Sequence, residues 1–116
     1  MLNVELKDLV IQALEDVKGE EIVCLDVGEM TELADYMVVA SGNSNRQVKA
    51  LVANVLEQAL HTGIKPLGVE GQTEGEWVLI DLTDVIVHVM LPKVRDFYDL
   101  ESLWSMRPGK VEGNTP

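Results

Sequence analysis

Cys24, His61 and His88 are the side chains in this chain best suited to nucleophilic, general-base or zinc chemistry, and their placement assembles none of it. A zinc site needs ligands grouped at short, regular spacing, and one cysteine with two distant histidines offers no such group. Cys24 lies in the apolar run Ile22-Val23-Cys24-Leu25 and reads as a small buried residue. His61 falls near a helix end and reads as either solvated or favouring the helix dipole. His88 has no nucleophile beside it and reads as a hydrogen-bonded structural histidine or a contact residue. Asp81 and Asp84 straddle a turn, and no Asp-x-Asp pair occurs, so a two-metal site is not assembled. Ser41-Gly42-Asn43-Ser44 could point backbone amides at a phosphate. It lacks the lysine of a P-loop and the glycine spacing of a dinucleotide fingerprint, and reads as a turn with a helix cap. The residues therefore predict no catalytic group, no cofactor and no metal.

What remains is a surface. Residues 76–91 read as a hairpin, and strand side chains alternate between two faces. Val78, Ile80, Leu82, Val85, Val87, Val89 and Leu91 form one aliphatic face, which is ordinary core. With Thr83-Asp84 as a two-residue turn, Trp77 lies opposite Met90, Leu79 opposite His88 and Asp81 opposite Ile86. That second face mixes tryptophan, methionine, imidazole and carboxylate, as expected where a sheet meets a partner.

Other elements must hold this hairpin. Asn3 can cap a helix running to about residue 18, with Gly19 after it. Strands follow over 21–27 and 35–40, then a helix over 45–62 with Gly63 as its stop. A third strand covers 66–71, and Pro92 ends the hairpin. A short acidic helix follows over 99–104, and from Arg107 onward the composition predicts a disordered tail. The domain is expected to span 1–105, leaving 106–116 as tail. The order α-β-β-α-β-β-β-α predicts an α/β (α+β mixed) fold with a mixed five-stranded sheet. In it the second helix forms a right-handed crossover between parallel second and third strands, followed by antiparallel hairpins. Leu100 and Leu103 anchor the last helix; Tyr98 and Trp104 can either do the same or expose a polar edge at a contact.

Composition narrows the function classes. Twenty acidic against nine basic residues give a net charge of −11, which repels phosphate backbones, so nucleic-acid binding is not expected as the main activity. The charge serves either solubility alone or steering to a basic partner. A single cysteine allows no internal disulfide and fits the reducing cytosol. The N-terminus lacks signal or transit features, and no apolar run is long enough to span a bilayer, so a cytoplasmic location is expected.

Three ordered blocks carry a resemblance. Ala34-Asp35-Tyr36-Met37-Val38-Val39-Ala40-Ser41-Gly42 with Asn43-Ser44-Asn45-Arg46-Gln47-Val48-Lys49-Ala50 closely resembles a signature of the ribosomal silencing factor (RsfS, or Iojap) family. Val69-Glu70-Gly71 with Glu74 to Asp81 agrees, as do Val85 to Pro92, Arg95, Phe97-Tyr98-Asp99-Leu100-Glu101 and Leu103-Trp104. Met37 stands where the family has an aromatic, a size-conserving core change. The resemblance implies a nucleotidyltransferase-like fold without the catalytic carboxylates. It also implies a non-enzymatic translational repressor that binds large-subunit ribosomal protein number fourteen and blocks small-subunit joining, and a tendency to homodimerise. On that reading Trp77, Leu79 and Met90 anchor the partner and His88 is a contact residue. Tyr98 and Trp104 lie at the edge, and Glu70, Asp81 and Glu101 meet its lysines or arginines. The rivals are a large-subunit assembly or maturation factor without silencing and a degenerate nucleotidyltransferase-like enzyme.

Overall fold

The computed structural model describes residues 2–105, and for 103–105 the backbone alone; the expected tail and the Trp104 side chain lie outside the described residues. The elements are α1 (Asn3–Asp16), β1 (Glu20–Asp26), β2 (Tyr36–Ser41), α2 (Asn45–His61), β3 (Gly68–Glu70), β4 (Trp77–Asp81), β5 (Val85–Met90), α3 (Pro92–Tyr98) and α4 (Leu100–Ser105). The five strands form one mixed sheet in the order β1-β2-β5-β4-β3.

The crossover is longer than the sequence predicts. The parallel neighbour of β2 is β5, with Val38 opposite Val87 and Val39 opposite His88, and β3 sits at the far edge. β3 runs in the same direction as β2 through two antiparallel steps. The α2 crossover thus leads to the edge, and two hairpins bring the chain back to the sheet centre. Only the hydrophobic ranking separates these arrangements: β5 is apolar on nearly every residue and takes the central place, whereas β3 is three residues long.

The aliphatic face of the hairpin is core, as read. Val78, Ile80, Leu82, Val85, Val87 and Val89 are buried against Leu6, Val10 and Leu14 of α1 and Val48, Leu51 and Val55 of α2. Helix α2 starts where Ser44 Oγ accepts from the Gln47 amide at 3.1 Å. It stops at Gly63, whose φ of +83° lets Ile64 N–H reach back to Ala59 O at 3.0 Å. Helix α1 departs from expectation at both ends. Asn3 is its first residue rather than its cap; Glu5 Oε1 accepts from the Leu2 amide, and the Asn3 side chain donates to Asp35. Its end turns through Lys18 in the left-handed region, while Gly19 packs tightly under Leu14 and Leu51.

Pro92 does more than end the hairpin. It is the first residue of α3, a helix the sequence reading passed over. The chain then bends at Asp99, whose φ is +51°, into α4. Val94 and Leu100 from these two helices pack on a second, smaller cluster of Val27, Met37, Val39 and Met90 across the sheet.

Candidate partner-binding face

Cross-strand pairing sets the side chains of the second face in rows. One row runs Ser41, Met90, Trp77; the next Val39, His88, Leu79, Glu70; the third Met37, Ile86, Asp81, Gly68. The pairs Trp77–Met90, Leu79–His88 and Asp81–Ile86 are those that alternation and a two-residue turn predict. Thr83 supplies the turn with a φ of +76°, and its amide donates to Asp81 Oδ1 at 2.9 Å. Gly71 holds the preceding hairpin: at φ +89° it lets Trp77 O approach so closely that a Cβ would lie 2.1 Å from it.

The rows are covered at one end and open at the other. At the covered end α3 and α4 lie over Met90, which is fully buried and supports those helices from below. Arg95 fastens them: Nη1 donates to Ser41 Oγ at 2.8 Å, and Nη2 donates to Glu101 Oε2 at 2.7 Å. Arg95 is only 5 % exposed, so the Glu101 carboxylate is engaged inside the chain. Trp77 is half-buried, and its indole Nε1–H donates to His88 Nδ1 at 2.9 Å. Burial pushes the His88 imidazole down to about 4, which keeps it a neutral acceptor near pH 7. Tyr98 lies on Trp77 with ring centroids 4.7 Å apart, and Phe97 meets Tyr98 edge-on at 4.9 Å. Phe97 and Tyr98 are 79 % and 54 % exposed.

At the open end Leu79, Ile86 and Asp81 are half-buried and Glu70 is exposed. The structure thus brings Trp77, Leu79, Asp81, His88, Met90 and Glu70 to one face, with Tyr98 and Glu101 on the helices that border it. It divides them into half-buried or exposed side chains (Trp77, Leu79, Asp81, Glu70, Tyr98), the buried Met90 and His88, and Glu101, which is half-buried and held by Arg95. The reading from sequence passed over Phe97 as a contact candidate; an apolar ring beside Tyr98 at a helix end was the available signal.

The remaining chemistry is spoken for. The Gly42 amide donates to Met90 O at 3.0 Å, the Asn43 amide to Gln47 Oε1 at 2.6 Å and the Gln47 amide to Ser44 Oγ, so these donors are satisfied within the chain. Burial pushes the Cys24 thiol up, away from the thiolate a nucleophile needs. Among the described residues there is no cluster of three metal-ligating side chains, and no helix is long and apolar enough to cross a membrane.

Comparison with known proteins places the chain in a family. The profile described as ribosomal silencing factor during starvation matches residues 3–115. A ribosomal silencing factor RsfS from Chromobacterium violaceum is 53% identical over 100 residues, covering 86% of this chain and 82% of that protein. A crystal structure of a Chromobacterium violaceum protein superposes with a TM-score of 0.90 at 48% identity, covering 99% of this chain and 97% of that one. The mouse protein named mitochondrial assembly of ribosomal large subunit protein 1 is 28% identical over 103 residues, covering 86% of this chain and 45% of its own length.

Proposed function

The chain belongs to the ribosomal silencing factor family, and from that membership and its second sheet face we propose that it represses translation from the large ribosomal subunit. The partner is large-subunit ribosomal protein number fourteen, and the action is steric: the bound domain occupies the surface on which the small subunit must dock. The reading is non-enzymatic and places the protein in the cytoplasm, where ribosomes are engaged.

The observation that carries the proposal is the mixture on the exposed part of that face. Trp77, Tyr98 and Phe97 form a contiguous aromatic edge of tilted and edge-on rings, next to Leu79 and to the carboxylates Asp81 and Glu70. Aromatic anchors beside acidic groups fit a basic protein surface, and the net charge of −11 favours the same partner over nucleic acid. A standard interface buries about 1,600 Å² in total, so a chain of 116 residues can dock with one face. Binding of the purified protein to isolated ribosomal protein number fourteen tests the reading. A complex weakened by Tyr98→Ala, which alters an exposed ring, supports it; absence of a complex at low salt refutes it.

The name of the mouse relative favours a second reading, in which the chain assists large-subunit assembly. Subunit joining separates the two, because an assembly factor that does not silence leaves joining intact.

A further inference from the structure

The open end of the second face contains a cavity of about 110 Å³. Its floor is the centre of the sheet, Met37, Leu79, Ile86 and His88, and the β1–β2 loop contributes Leu33 and Ala34 as a wall. The lining is almost wholly apolar, and Leu33, at 77 % exposed, stands at its margin. A cavity of this order with an apolar lining has room for one small apolar group. Two carboxylates stand beside it on the sheet: Glu70 is paired with Leu79 and Asp81 with Ile86, so both lie toward the β3–β4 edge of the same face.

Resting on the ribosomal reading above, we propose that this cavity is the specificity pocket of the interface. It takes one aliphatic side chain of the basic ribosomal protein, flanked on the β3–β4 side by a lysine or arginine that meets Glu70 and Asp81. The charge arrangement selects this occupant. A second copy of this chain would bring a net charge of −11 toward the same two carboxylates, whereas a basic surface complements them. The pocket lies beside the aromatic edge of Trp77, because Leu79 and Trp77 are alternate residues of β4 and share its face. The aromatics supply contact area, and the pocket sets which apolar residue fits and in what register.

Filling the pocket from its own wall tests this. Ala34 is buried at the lining, so Ala34→Leu extends aliphatic carbons into the void. Wild type and variant are compared for binding to purified large subunits, with thermal unfolding of each as a control for folding. Binding weakened tenfold or more with unchanged unfolding supports the pocket; binding within twofold of wild type overturns it while leaving the ribosomal reading intact. Failure of the wild type itself to bind refutes the ribosomal reading instead. Methyl resonances of Leu79 and Ile86 in the unaltered protein give a second route. Their movement on adding isolated ribosomal protein number fourteen supports the pocket, and their constancy in a formed complex overturns it. Movement only on raising the protein's own concentration assigns the pocket to self-association and overturns it as well.

Discussion

Trp77 and His88 are joined across two strands by a hydrogen bond in which the indole Nε1–H donates to imidazole Nδ1 at 2.9 Å. The bond requires a neutral His88 with its Nδ1 lone pair free, and burial supplies that state by pushing its pKa to about 4. It also holds the indole ring in place for Tyr98, whose centroid is 4.7 Å away. A histidine that no catalytic group accompanies thus serves to aim an aromatic contact.

His88 makes stability pH-dependent with a definite sign. In the unfolded chain it titrates near 6.5, and in the folded chain near 4, so between these values the unfolded state binds more protons. Its contribution is complete above about pH 6.5 and is lost as pH falls to about 4, by about 3 kcal/mol at most. His88→Asn keeps an acceptor for the indole and removes the titration. Denaturant melts across that range are expected to show a shallower pH slope for the variant, and an unchanged slope would exclude His88 as the cause.

The Arg95–Glu101 pair predicts an asymmetric mutational response. Glu101→Ala leaves the guanidinium of Arg95, 5 % exposed, with Ser41 Oγ but without its carboxylate, and is expected to destabilise by about 3 kcal/mol. Replacing both partners, Arg95→Met with Glu101→Leu, is expected to cost less than Glu101→Ala alone. Chemical denaturation of the two variants decides, and a double variant destabilised more than Glu101→Ala would show that the pair does not fasten α3 and α4 in this way.

Carboxylates and aromatics should act on different rate constants in binding to the ribosomal partner. Glu70 is exposed, so Glu70→Lys is expected to slow association several-fold at low salt, with the difference shrinking as salt screens it. Trp77→Ala is expected to cost about 2 kcal/mol of affinity, mainly through faster dissociation. Surface-immobilised kinetics at two ionic strengths separates the two. A salt-independent association rate would remove electrostatic steering, and a folded Trp77→Ala variant that dissociates as wild type would remove the anchor.

Strand alternation and a two-residue turn were enough to read the register of β4 against β5 from sequence, down to Leu79 opposite His88. Helix α2 was legible for a similar reason: Ser44 and Gly63 are local signals with local causes. The place of β5 between β2 and β4 was not, because strand neighbours are chosen by long-range burial that no short window contains. Alternation likewise put Met90 and Trp77 on one face without distinguishing them. Met90 is buried only because α3 and α4 fold back over it, and α3 begins at a proline that reads equally well as a strand end. Glu101 counted as a partner contact for the same reason: its Arg95 partner is six residues away across the bend at Asp99.

This face, once occupied by the large subunit, is expected to prevent subunit joining. Purified large subunits are incubated with the protein, small subunits are added, and the mixture is sedimented. Co-migration of the protein with the large subunit and loss of the joined-ribosome peak are the expected result. Co-migration with the joined peak intact would contradict silencing and leave the assembly reading.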